Sequence, residues 1–153
     1  MASETAMVQP TNKIVLDSKG LHVQTKKVET ETNVYPGRLV KRGTNDDDVV
    51  VNTAAGSPSG WVGYLNTAKK YRPATIATLH AADDQVGIIN GPGIILLAKL
   101  NKGASVTKGG LLTDAADGGL SGGTAGTHHI YAIAEETVDA SAAAANILVR
   151  SLF

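Results

Sequence analysis

Turns spaced this closely leave no room for a helix of ordinary length, and that constraint sets the class of the chain. Residues 91–120, GPGIILLAKLNKGASVTKGGLLTDAADGGL, open on the turn tripeptide Gly91-Pro92-Gly93 and return to turn residues at Asn101-Lys102-Gly103, at Lys108-Gly109-Gly110 and across 114–119. Only short pieces lie between them: Ile94-Ile95-Leu96-Leu97-Ala98, then 104–107 with Val106 as its one apolar anchor, then Leu111-Leu112-Thr113. The first run is too short for a membrane span and rich in β-formers, so it reads as a buried strand. Glycine recurs because tight turns often require a positive φ, which costs a residue with a Cβ.

The same alternation of short strands and turns runs through the rest. Val23, Thr25 and Lys27 alternate with Gln24, Lys26 and Val28 in a weak period of two, and the polar stretch Lys26 to Asn33, KKVETETN, reads as an edge strand or an exposed connection. Pro36-Gly37 is a turn, and Leu39-Val40-Lys41-Arg42 starts a strand. Val49-Val50-Val51, Trp61 to Leu65, 75–79 and 86–89 follow as strands, with 54–60 as loop. Ala68 to Arg72 can start only a short helix before Pro73. Residues 120–127, LSGGTAGT, read as a loop without a large anchor, and 129–134 and 147–153 as strands flanking an alanine-rich link. Two G-x-L/V openings, at Gly37 and Gly110, hint at a distant duplication. The expectation is an all-β domain of short, mostly antiparallel strands with one or two small helices at most: a small barrel or β-tulip/β-clip-like domain over 34–153. Residues 1–33 form an N-terminal arm with an edge strand.

At 153 residues the chain is long enough for one domain with a proper core. Aromatics are only 4%, so that core must be Val, Ile, Leu and Ala. Lys plus Arg and Asp plus Glu are 14 each, so net charge points to neither nucleic acid nor a membrane surface. A neutral chain also packs densely beside copies of itself. There is no cysteine, which excludes disulfides, thiolate catalysis and Cys-ligated zinc. The segment MASETAMVQP lacks the basic and apolar regions of a signal peptide, so synthesis in the cytoplasm is expected.

The candidate chemistry is weak. Asn45-Asp46-Asp47-Asp48 is the densest acidic cluster, but consecutive acids cannot all converge on calcium, and a solvated turn is the better reading. Asp83-Asp84 is similar. His128 and His129 would face opposite sides of a strand, and His22 and His80 lie far off in sequence, so no metal site is expected. The glycine pairs 118–119 and 122–123 lack the Gly-Lys-Ser/Thr and helix of a phosphate loop. No nucleophile elbow is present. These residues predict no enzyme, no cofactor and no metal. Trp61, Tyr64, Tyr71 and Tyr131 are core candidates, and Trp61, beside the loop 54–60, is the candidate for an oligomer-interface anchor.

The run "strand, G-x-x-V-x-x-G-x-L, spacer, IAIAEE, spacer, ILVRSL" over the last 65 or so residues resembles the small head decoration (cement) proteins of tailed phages and related viruses. Tyr35 to Leu65 resembles them more loosely, through its turn and G-x-L-V opening. The resemblance implies a non-enzymatic virion protein on the outer capsid surface, commonly a homotrimer, whose partners are the major capsid protein and its own copies. Other virion structural roles, in a tail or capsid fibre, and a small ligand-binding β-clip module remain as alternatives. Within the arm, Val8, Pro10, Ile14, Val15 and Leu16 are the candidate anchors on a capsid or adjacent subunit, with Trp61 as the candidate in the domain.

Overall fold

The computed structural model describes residues 15–17, 21–63 and 79–153, the first group by backbone alone. The strands are β1 (Val15–Asp17), β2 (His22–Val28), β3 (Leu39–Arg42), β4 (Asp48–Val51), β5 (Gly60–Val62), β6 (Gln85–Asn90), β7 (Ile95–Leu100), β8 (Ser105–Val106), β9 (Leu111–Asp114), β10 (Leu120–Gly122), β11 (Ala132–Ala134), β12 (Val138–Asp139) and β13 (Ala145–Ser151). The fold is all-β, as the turn spacing predicts. Among the described residues the only helical piece is a 3-10 turn at Ala116–Gly118. The helix expected near residues 68–72, and all but the end of the strand expected at 75–79, lie outside the described residues.

The chain closes two barrels where one was expected. The first runs β2-β4-β3-β5-β6 and returns to β2. In the second, β7 pairs with β10, β10 with β9, β9 with β11, β11 with β13, and β13 with β7. Each ring has one parallel contact, β2 with β4 and β7 with β10, while its other pairings are antiparallel. The connectivity is therefore the same in both. The hydrogen bonds outside the ladders match too. Gly37 N donates to Val62 O at 2.7 Å, and Gly109 N to Ala134 O at 2.8 Å. Val62 N donates to Arg38 O at 2.8 Å, and Ala134 N to Gly110 O at 2.9 Å. Glu29 N donates to Val49 O at 3.0 Å, and Asn101 N to Leu120 O at 2.9 Å. The duplication hinted at in the sequence is thus a repeated barrel. The partner of Gly37 is Gly109, not Gly110, and the shared string is V-x-x-G-x-L, at Val34 to Leu39 and Val106 to Leu111.

Closure explains two departures from the sequence reading. The polar strand β2 is no edge: it pairs with β6 along six residues and with β4 through Lys27 and Val28. A barrel satisfies both backbone edges of a stave whatever its side chains are, so polarity does not mark an edge here. Residues 22–28 accordingly belong to the first barrel and not to an arm. Likewise Leu120–Gly122 is a strand, and Leu120, with no exposed surface, is the anchor that the loop reading lacked.

Alternation along the staves divides the core. Val40, Val62 and Ile88 fill the first barrel with Val28, Val34, Val49 and Val86. Their neighbours Leu39, Trp61 and Ile89 point the other way and join the core of the second barrel, among Ile94, Leu96, Leu112, Leu120 and Ile147. Removing these apolar side chains from water is what holds one face of the first barrel against the second.

Candidate functional site

Polar groups gather where the loop 53–59 of the first barrel meets β9 and β11 of the second. Asp114, at the end of β9, is 8% exposed. Its Oδ2 accepts from Asn52 Nδ2 at 3.0 Å and from Gly56 N at 3.1 Å. Asn52 is fully buried, and its backbone carbonyl also accepts from Gly118 N of the second barrel. Beside it, the Thr113 hydroxyl donates to His129 O at 2.8 Å. The carboxylate of Asp114 is therefore a clasp across the barrel junction. A carboxylate accepting from amide donors, one of them buried, is among the stronger uses of a hydrogen bond. The clasped loop carries Ala55 and Ser57 at φ +55, in the left-handed region that such residues seldom occupy.

Above the clasp lies a cleft of about 590 Å³ lined by Ser57, Asp114, Ser121, His128, His129 and Tyr131, with small side chains between them. Tyr131 is packed between His129, at 4.4 Å between ring centroids, and Phe153, at 5.2 Å. Burial, then the neighbouring Asp114 carboxylate, raise the Tyr131 phenol above its ordinary pKa. His128 Nδ1 accepts from Thr124 N at 3.0 Å. Neither histidine hydrogen-bonds the Asp114 side chain among the described residues, and no group of three His, Asp or Glu there could hold a metal ion. Chemically the arrangement fixes a loop and two barrels. Among the described residues no hydroxyl is hydrogen-bonded to either imidazole.

Trp61 is not a surface anchor. It has no exposed surface, its Nε1 donates to Ser151 Oγ at 3.1 Å, and its ring stands 6.0 Å from Phe153. Leu39 pairs opposite it, and the indole fills the seam between the barrels, which the neighbouring loop residues did not reveal. Val8, Pro10 and Ile14 lie outside the described residues. For Val15 and Leu16 only the backbone is described: β1 lies antiparallel to β7 of the same chain, with Val15 opposite Leu96 and Asp17 opposite Ile95. The acidic run divides. Asp46 and Asp47 are exposed and pair with Arg42 and Lys26, whereas Asp48 is buried, bonded by Asn45 Nδ2 at 2.7 Å, and its carboxyl is held below its ordinary pKa first by that bond.

A second pocket, of about 320 Å³, opens on another side of the junction between Arg38, Lys99, Asn101, Lys102 and Asp117. Sequence reading missed this group, as it missed Asp114 and Asn52. They come from segments that only the paired barrels bring together, so no local spacing marks them.

No family model matches the chain, and no curated protein matches it. Among solved structures it is similar to the head fiber gp8.5 N base of bacteriophage phi29, with a TM-score of 0.56 and 12% identity over 86% of this chain and 93% of that one. The likeness is one of fold, and it spans nearly the whole of both chains.

Proposed function

We propose that this chain is a non-enzymatic structural protein of a phage virion, carried on the outside of the head. The observation that carries the reading is the extent of the likeness to the head fiber base of phage phi29, which takes in 86% of this chain and hence both barrels rather than one common module. The sequence resemblance to head decoration proteins, carried by side-chain motifs rather than by the backbone fold, adds the outer surface of the head to that reading. Two roles fit. In the first, the protein cements neighbouring capsomers as a homotrimer bound to the major capsid protein. In the second, which the name of the structural neighbour favours, it seats a fibre on the head. Either mechanism is adhesive: modest contacts repeated over a shell give firm attachment through multivalency.

The test is to mix the purified protein with expanded shells that lack it and image them. Ordered density at fixed sites on the outer surface is the expected result, and the mass of the free protein by light scattering checks for three copies. A rise in the temperature at which loaded shells disrupt selects the cement role. Occupied shells that disrupt at an unchanged temperature select the fibre base. No binding to shells or heads under any condition sinks both.

A further inference from the structure

The repeat places one lysine in two opposite settings. Lys27 on β2 and Lys99 on β7 are equivalent: Lys27 pairs with Gln85 and precedes buried Val28, and Lys99 pairs with Asn146 and precedes buried Leu100. Lys27 Nζ stands 3.5 Å from Asp48 and 3.7 Å from Asp83, with Glu29 two residues on. The matching positions in the second barrel hold no acid. Gly119 replaces Asp48, since Gly43 N bonds Asp48 O as Ala115 N bonds Gly119 O. Ala144 replaces Asp83, each lying two residues before the strand partner of its lysine, and Asn101 replaces Glu29.

Lys99 instead faces a second cation. Arg38, only 7% exposed, lines the same pocket, and Lys102 is at its rim. The Arg38 side chain makes one hydrogen bond among the described residues, from Nη1 to Asp117 O at 2.7 Å, and its guanidinium lies 4.9 Å from the Tyr35 ring centroid. Burial lowers the pKa of both cations, Arg38 lowers that of Lys99 further, and the nearby Asp117 carboxylate offsets part of each shift. The one lining carboxylate, Asp117, is exposed and forms no ion pair with either among the described residues. Two adjacent cations, one of them buried, with a single exposed and unpaired carboxylate nearby are stabilised by a further anion placed between them.

We propose that this pocket binds a carboxylate from outside the chain, the Asp or Glu side chain of a docking protein partner, held between the Arg38 guanidinium and the Lys99 ammonium. The first barrel shows what the position accommodates, a carboxylate against the lysine, and the arginine fork suits the same group. The inference does not rest on the virion reading. The test is a titration of the full chain with acetate, followed by amide and Arg side-chain NMR, with chloride and inorganic phosphate at matched ionic strength. Acetate is expected to give saturable shifts at Arg38, Lys99, Asn101 and Lys102. Lys99→Gln should weaken it about tenfold, as loss of one charge-assisted bond implies. Ala144→Asp, at an exposed position, should abolish the shifts by supplying the missing carboxylate from within. Shifts that are linear, equal in chloride or unchanged in both variants overturn the proposal. Saturation by phosphate at a lower concentration than by acetate overturns the assignment to a carboxylate.

Discussion

Gly37 and Gly109 occupy one place in two copies of a barrel, at φ +82 and +87, each donating its N–H to the strand that follows across the ring. Their surroundings differ. A Cβ on Gly109 would meet open space, whereas one on Gly37 would run into the backbone carbonyl of Leu97, in the second barrel. The first glycine is therefore a turn residue and also a point of very close approach between the barrels.

That difference predicts unequal costs. Gly109→Ala should lose about 1–2 kcal/mol, the strain of a left-handed alanine. Gly37→Ala should lose that and about 1–3 kcal/mol more, because a backbone neighbour must shift. Urea unfolding of the two variants measures both. Equal losses would mean that the barrels do not meet at Gly37.

Trp61 should behave as core. As the chain's one tryptophan, it should emit to the blue in the folded protein and shift to the red only on unfolding, not on dilution of an oligomer. Trp61→Ala should cost about 3–5 kcal/mol. Trp61→Phe should cost less but leave Ser151 Oγ without the indole donor. Emission that moves when oligomers dissociate would restore the interface reading.

Asp139 is a marker of acid sensitivity. Its carboxyl, bonded first by Ser105 Oγ at 2.7 Å and then by Ser141 N at 2.9 Å, has its pKa lowered to about 2. The unfolded value is about 3.9. The folded state thus holds its proton less tightly, and the contribution is fully present above pH ~4 and fades as the pH falls through about 2. Melting temperature followed from pH 5 to 2 should fall less steeply in Asp139→Asn than in the parent. Parallel curves would show that the two hydrogen bonds do not hold in solution.

The class of the fold was legible because Gly, Pro and Asn punctuate the chain at strand length, and strands such as Val49-Val50-Val51 announce themselves. The second ring was not, since V-x-x-G-x-L is too short a string to establish a repeat, and the staves opposite it share almost nothing: Gly60-Trp61-Val62 stands where Ala132-Ile133-Ala134 does. What the repeat conserves is hydrogen bonding by the backbone, to which the side-chain sequence is nearly blind. The same holds for the pockets. Asp114 reads as a turn residue, and Arg38 as the unassigned x of a G-x-L-V opening, until the junction of the barrels places Asn52 beside the first and Lys99 beside the second.

The N-terminal segment makes the last prediction. Its proposed anchors Val8, Pro10 and Ile14 precede a strand whose backbone lies along Ile95 and Leu96 of β7. β13 occupies the other side of those residues, so β1 covers the edge that remains. Deleting residues 1–17 should therefore destabilise the free protein by about 1–3 kcal/mol, the worth of a few backbone hydrogen bonds. Deleting only residues 1–10 should leave the thermal melt unchanged and, if Val8 and Pro10 dock on a shell, weaken attachment in a capsid-binding titration. Ordering such a segment costs on the order of 1 kcal/mol per residue, so contacts on the shell must offset it. Equal binding by the shorter deletion would leave those two residues without a role in attachment. A lowered melt in that same variant would place residues 1–10 in the fold itself.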